Sequence, residues 1–225
     1  CRETAESAGA TLEVVHPQRR ASRVRRRVLI KKLSPAKPGR PAPEREFVVI
    51  GAGMYGLYQL HKLLQIGADV TVLERGDDVG GTWYWNRYPG CRFDSESYTY
   101  GYSFSKEVLA EWNWNERFAP QPETLRYLNF VVDKFDLRKH VQFGCNLKRA
   151  VWDDEHHIWT LELAEGRTLT CRYLLTAIGL LSAPTMPRLT GMDSFLGPSF
   201  HTYFWPKEPV DLAGKRVAVI GTGAT

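Results

Sequence analysis

Ten residues constrain this chain more than any others: Phe47 to Gly56, FVVIGAGMYG. Phe47 to Ile50 are apolar without interruption, which reads as a buried strand of a parallel sheet. Gly51, Gly53 and Gly56 follow in the G-x-G-x-x-G spacing, and Leu57, Leu60, Leu63 and Leu64 then recur at helical spacing. Strand, glycine turn and helix together make the pattern a dinucleotide site. Gly51 permits the tight turn, Gly53 lets a pyrophosphate approach the backbone, and Gly56 lets the helix pack against the strand. The helix N-terminus offers free N–H groups and a partial positive charge to phosphates. Val70 to Leu73 reads as a second strand. Glu74 ends it, 18 residues past Gly56, where an acid accepts hydrogen bonds from a ribose hydroxyl pair. The alternative is a glycine-rich turn in another α/β protein. The placed strand, helix and Glu74 weigh against it.

The 225 residues allow one large domain or two small ones. Four cysteines, Cys1, Cys91, Cys145 and Cys171, lie far apart and form no C-x-x-C. They read as reduced thiols of a cytoplasmic protein, and they disfavour a disulfide reductase. No apolar run approaches the ~20 residues of a membrane span, and no signal peptide is evident, so no membrane partner is expected. Charge is uneven. Residues 1–45 carry 12 Lys/Arg and 4 Asp/Glu, net +8, while the remaining 18 and 21 give −3. Arg19, Arg20, Arg23, Arg25, Arg26 and Arg27, followed by four prolines, mark residues 1–45 as a basic, disordered extension. It reads either as a nucleic-acid arm or as a solvated leader. The leader is favoured, because no aromatic residue interleaves the arginines as a stacking site requires; no nucleic-acid partner is expected. A first residue other than Met and a last residue inside a motif make the chain read as part of something longer.

Residues 77–106 form a long glycine-rich, aromatic loop without helical period, the kind that is functional when ordered. Gly80 and Gly81 let backbone approach a ligand, and Trp83, Tyr84 and Trp85 are suited to wall a flat ring system or to pack on the sheet. Asp94 is a lone acid that could accept a hydrogen bond from a cofactor. Residues 107–140 read as helical, with a start at Gln121-Pro122 and one apolar face of Leu125, Leu128, Val131, Val132 and Phe135. Val141 to Phe143 begins an extended run, and a hairpin is expected across Asp153 to His157. His156 and His157 sit in that acidic turn and read as solvated; no metal is expected. Arg172 to Gly179 reads as another buried strand. Arg216 to Ile220 reads as a further strand, with Gly221 and Gly223 opening a second glycine turn. Two such turns suggest two nucleotide sites.

One more stretch sharpens the reading. Phe195, Gly197, His201, Trp205 and Pro206 fit the F-x-G-x-x-x-H-x-x-x-W-P fingerprint of the Baeyer–Villiger monooxygenases, and GGTWYWNRYPG at residues 80–90 resembles the loop that family places over its flavin. The resemblance covers about residues 46–225. It implies an α/β fold: a Rossmann-like FAD-binding domain with a parallel sheet and small β-hairpin elements (residues 46–183), then a linker with the fingerprint and the start of an NADP-binding Rossmann-like domain (184–225). It implies FAD and NADPH as cofactors, a ketone and O₂ as substrates, and oxygen insertion through a flavin peroxide to give an ester or lactone. By motif position, Gly51, Gly53, Tyr55 and Gly56 would line the FAD pyrophosphate and Glu74 the ribose. Gly81, Thr82, Trp83, Tyr84 and Trp85 would cover the isoalloxazine side, with Asp94 and Tyr100 close by. Leu147 matches a position where backbone meets the adenine. Gly221, Thr222 and Gly223 would bind NADPH, and Arg92, Phe93 and Asp94 would lie between flavin and nicotinamide. Asp94 would orient a catalytic arginine beyond Thr225, while His201 and Trp205 would couple NADPH binding to domain closure. This sequence departs from the family at Met54, Tyr55, Cys91 and Phe93.

Two other readings stay open from the sequence. One is a flavin-containing or N-hydroxylating monooxygenase acting on amines or thioethers. The other is a non-catalytic binding module that works through the basic arm. The 225 residues alone are expected to be inactive, and neither the ketone nor the oligomeric state is readable.

Overall fold

A computed structural model describes residues 13–15 and 41–222. In chain order the elements are β1 (Glu13–Val15), β2 (Arg45–Ile50), α1 (Met54–Gln65), β3 (Val70–Leu73), α2 (Thr82–Trp85), α3 (Ser97–Tyr100), α4 (Lys106–Glu111), α5 (Gln121–Lys134), β4 (Val141–Gln142), β5 (Leu147–Asp153), β6 (Ile158–Leu163) and β7 (Thr168–Thr176). Short 3-10 turns lie at Arg138–His140, Met192–Ser194 and Thr202–Phe204.

The strands form one mixed sheet in the order β1-β5-β6-β7-β2-β3-β4. β2 pairs in parallel with β3 on one side, Phe47 opposite Val70, and with β7 on the other, Ile50 opposite Thr176. β5, β6 and β7 form an antiparallel meander that joins this parallel unit through β7. The expected strands at 47–50 and 70–73 and the expected hairpin are therefore present. The N-terminal extension, where the sequence suggested no element, contributes β1 alongside β5; the rest of residues 1–40 lies outside the described residues.

The uninterrupted apolar run of β2 follows from burial on both faces. Val49 points to a core shared with Leu57 and Leu60 of α1, Leu128, Val131 and Val132 of α5, and Trp83. Val48 and Ile50 point to a second core with Leu147, Ala150, Leu161 and Leu169 of the meander. Of the helical faces anticipated, Leu57 and Leu60 of α1 and Leu128, Val131 and Val132 of α5 are buried, while Leu63, Leu64, Leu125 and Phe135 are half-buried against the same core.

Three expectations change. Residues 107–140 are not one helical stretch. The chain leaves α4 at Trp112 and re-enters a helix only at Gln121. Between them, Trp112 and Trp114 pack against Tyr127 with centroids 5.2 and 4.9 Å away. The backbone there is also held from outside, with the Ala119 N–H donating to Ser97 Oγ at 3.1 Å and the Gln121 N–H to the Cys91 carbonyl at 2.7 Å. The loop 77–106 contains two single-turn helices, α2 and α3, too short to show a period in sequence. Residues 216–220 form no strand. Val217, Val219 and Ile220 are 59%, 74% and 75% exposed, and no described strand pairs with them. An apolar run becomes a strand only when a neighbour takes its N–H and C=O groups.

Candidate functional site

The site is built around Ala52, between the first two glycines. Its N–H donates to Glu74 Oε2 at 2.7 Å, and its carbonyl accepts from the Gly80 N–H at 3.0 Å. Glu74 Oε1 accepts from the Gly76 N–H at 2.8 Å, and the Gly51 N–H donates to the Leu73 carbonyl at 2.8 Å. The turn after β2, the end of β3 and the loop before α2 are thus one hydrogen-bonded unit. Glu74 is 4% exposed. A buried carboxylate at that depth requires donors on its oxygens, and two backbone N–H groups supply them.

Three glycines are fixed by contact. A Cβ on Gly56 would lie 1.8 Å from the Gly51 carbonyl oxygen, so α1 approaches the turn as no other residue permits. Gly53 and Gly81 meet face to face, and a Cβ on Gly81 would lie 2.8 Å from the Gly53 Cα. Gly53 is the N-cap of α1; no side chain caps that end, and its first turn holds no acid. An uncapped N-terminus on a twelve-residue helix, flanked by bare backbone, is an anion cradle. The residues present therefore fit a pyrophosphate.

The other anticipated residues fall into three groups. Tyr55 is 77% exposed on the first turn of α1. It lies near the Tyr100 hydroxyl, as does exposed Asp94. Burial chiefly pushes the Tyr100 phenol up; the hydrogen bond from Trp83 opposes that, and Tyr55 and Asp94 add to it. A second group is core. Trp83 and Phe93 are each 5% exposed, Phe93 stacks on Tyr100 at 4.3 Å, and Trp83 Nε1 donates to the Tyr100 hydroxyl at 2.8 Å. These three rings back the loop instead of facing its open side. Leu147 is likewise buried in the second core. Arg92 is turned to Glu116 Oε2 at 3.0 Å and the Phe118 carbonyl at 3.1 Å. Thr82 opens α2, after the N-cap Gly81.

Tyr84 and Trp85 form the third group. Their rings lie over Gly76, where a Cβ would meet Tyr84 Cε1 at 2.8 Å and Trp85 Cζ2 at 3.2 Å. Trp85 stacks on Tyr203 with centroids 6.4 Å apart and planes 12° apart. Arg75 lies over Trp85 at 4.6 Å. His201 and Trp205 flank this contact: His201 Nδ1 accepts from the Tyr203 N–H at 3.1 Å, and Trp205 packs on Phe200 at 5.2 Å. Gly221 and Thr222 are exposed coil away from the first turn's contacts, and Gly223 lies outside the described residues. Sequence reasoning missed Arg75, Gly76 and Tyr203. Only Arg75 carried a signal, its place next to Glu74.

Among the described residues no cluster of three metal-ligating side chains exists, and no helix is long and apolar enough to cross a membrane. The turn at Asp153 is closed on itself: His156 Nδ1 lies 2.7 Å from Asp153 Oδ2, and the N–H groups of Glu155 and His156 donate to Oδ1.

Residues 49–111 match the profile of an NAD(P)-binding Rossmann-like domain. The chain is 50% identical over 190 residues to 2-oxo-Delta(3)-4,5,5-trimethylcyclopentenylacetyl-CoA monooxygenase of Pseudomonas putida, covering 82% of this chain and 35% of that protein. It is 48% identical over 179 residues to a Baeyer–Villiger monooxygenase of Pseudooceanicola batsensis and, over the same length, to phenazine N-monooxygenase PhzNO1 of Lysobacter antibioticus, covering 79% of this chain and 33% of each relative. The solved structure of OTEMO in complex with FAD and NADP superposes with a TM-score of 0.76 at 49% identity, over 82% of this chain and 36% of that one. The chain thus spans about a third of the length of the curated relatives it matches.

Proposed function

From its homology with the N-terminal third of the Baeyer–Villiger monooxygenases, we propose that the chain is the FAD-holding part of an NADPH-dependent flavoprotein monooxygenase that inserts oxygen beside a ketone carbonyl. The observation that carries this is the Ala52 node: a bare glycine turn at the uncapped start of α1, tied to Glu74, with the fingerprint linker packed on the loop beside it. On this reading residues 46–183 hold FAD, and 184–225 lead to an NADPH-binding unit.

The residues divide the work. Gly53, Gly56 and the start of α1 receive the pyrophosphate, and Gly51 and Gly81 shape the turn around it. Glu74 keeps the turn in place, and the free lone pairs of its carboxylate face a ribose hydroxyl pair. Tyr84 and Trp85 shield that end from water. Exposed Tyr55 and Asp94 form a polar edge beside α1's first turn, backed by the Tyr100 ring. His201 and Trp205 set the linker's course toward Gly221 and Thr222. When bound, FAD supplies the redox and oxygen chemistry, which no side chain here possesses. The protein excludes water and fixes position. A cytoplasmic location and a small-molecule ketone partner belong to the same proposal.

A second reading is favoured by one observation: a relative as similar as the ketone-oxidising ones is named for N-oxidation of a phenazine. The test is anaerobic addition of NADPH to the FAD-loaded full-length gene product, then O₂ with a cyclic ketone or a phenazine. Bleaching followed by a lactone supports the main reading. Bleaching with only an N-oxide supports the second. A flavin that NADPH leaves oxidised contradicts both.

A further inference from the structure

Building on the proposed FAD site, we infer that Arg75 is a positioning residue that docks the fingerprint linker onto the loop 80–90, so that occupancy of the first nucleotide turn is felt at His201. Arg75 adjoins Glu74 at the end of β3. Its guanidinium lies over the Trp85 ring at 4.6 Å and over the Tyr203 ring at 5.9 Å. It donates to the Tyr203 hydroxyl and, at 3.4 Å, to the Ser182 carbonyl. The Tyr203 hydroxyl itself donates to the same Ser182 carbonyl at 3.4 Å. Three segments therefore meet at the cation that follows β3: the aromatic loop through Trp85, the chain after β7 through Ser182, and the fingerprint stretch through Tyr203. A planar fork that stacks and donates at once suits this junction, and an ammonium does not.

The linker has few other anchors. Phe195 and Leu196 are 65% and 100% exposed, so these two apolar side chains do not hold the linker to the domain. Among the described residues, the Arg75 junction joins the linker to the body of the protein through Tyr203. The line of contact runs from the Ala52 N–H to Glu74, across one peptide bond to Arg75, to Tyr203, and through the Tyr203 N–H to His201 Nδ1. A ribose that draws on the Glu74 carboxylate displaces the residue next to the junction.

The test is limited tryptic cleavage at Arg188 and Lys207 in the whole chain, with and without FAD. Without ligand, Arg75→Ala is expected to speed cleavage roughly tenfold, the scale of a lost cation–π contact and charged hydrogen bond in a local opening. Tyr203→Phe, which keeps the ring and removes the hydroxyl's hydrogen bonds with Arg75 and the Ser182 carbonyl, is expected to speed it about fivefold, the scale of two modest net hydrogen bonds. Arg75→Lys restores charge but not the fork and is expected to rescue less than half of the loss. FAD is expected to change the parental cleavage rate and to leave the Arg75→Ala rate unchanged. Unaltered cleavage in both Arg75→Ala and Tyr203→Phe overturns the docking role. An equal FAD response in parent and Arg75→Ala overturns the transmission. If the parent binds no FAD, the functional proposal fails, and the ligand-free comparison still decides the docking.

Discussion

Glu74 holds the N–H of Ala52 at 2.7 Å across 22 residues of chain. The acid read from sequence as a ribose acceptor is thus also the clasp of the glycine turn. Both its oxygens already take a backbone N–H before any ligand arrives. Removing the carboxylate leaves two N–H groups without acceptors at a buried site. Glu74→Ala is expected to cost about 3–6 kcal/mol, since two hydrogen bonds to a charged group are lost and each is worth about 1.5–3 kcal/mol. Glu74→Gln keeps one acceptor oxygen and is expected to cost roughly half as much. Urea unfolding of the three proteins measures this. Equal midpoints would show that the clasp contributes nothing.

Gly56 tests the closeness of helix and turn. Gly56→Ala drives a Cβ into the Gly51 carbonyl oxygen at 1.8 Å, a backbone atom that cannot swing aside. The expected loss is about 3 kcal/mol, at the upper end for overpacking. Gly67→Ala is the control. Its φ is +72° but nothing lies within 4 Å of the added Cβ, so only the left-handed penalty of ~1–2 kcal/mol applies. Thermal unfolding should rank Gly56→Ala well below Gly67→Ala, and the reverse order would refute the packing argument.

Sequence reading reached most of this site because its signals are local. The run Phe47 to Ile50, the glycine spacing and Glu74 are each a short word with one physical meaning, and the β2–α1–β3 unit follows from them. What escaped reading depends on distant partners. Trp83, Tyr84 and Trp85 look alike in sequence. Yet Trp83 turns into the core toward Tyr100, while Trp85 turns outward to meet Arg75 and Tyr203, 118 residues further on. Residues 216–220 have strand composition and remain unpaired, because a strand is a property of two segments. The helix break at 112–120 is set by Tyr127 and Ser97, neither of which is adjacent in sequence.

The split within that aromatic triplet gives its own prediction. Trp83→Phe removes a buried indole and its hydrogen bond to Tyr100. It is expected to cost about 1–3 kcal/mol, with the linker's protection unchanged. Trp85→Leu is expected to cost about 1 kcal/mol, since the half-buried ring loses its cation–π contact with Arg75 and its stack on Tyr203, while loosening the linker. Unfolding midpoints and cleavage at Lys207, read on the same samples, separate the two. Matching effects from both substitutions would dissolve the distinction.

His61 supplies a pH dependence. It is 8% exposed and lies between Phe104 and Phe135, both with centroids 4.5 Å away. Burial first, and the neighbouring Lys62 second, hold its imidazole below the ordinary 6.5. The unfolded chain therefore binds the proton more readily than the folded one. The stability this provides is complete above about pH 6.5 and is lost as pH falls through the lowered folded value. His61→Phe keeps an aromatic ring and removes the titration. The melting temperature of the parent should fall relative to that of His61→Phe as pH drops from 7.5 to 5 (about the range of histidine titration). A constant difference would contradict the burial argument.

The most direct measurement is FAD binding to the purified chain by fluorescence quenching, compared with Gly56→Ala and Gly67→Ala. The account predicts one FAD per chain, loss of binding by at least about 100-fold (~2.7 kcal/mol) in Gly56→Ala, and near-parental affinity in Gly67→Ala. A folded parent that takes up no FAD, or a Gly56→Ala protein that binds it as well as the parent, would contradict the claim that the Gly51–Gly56 turn is the flavin's phosphate site.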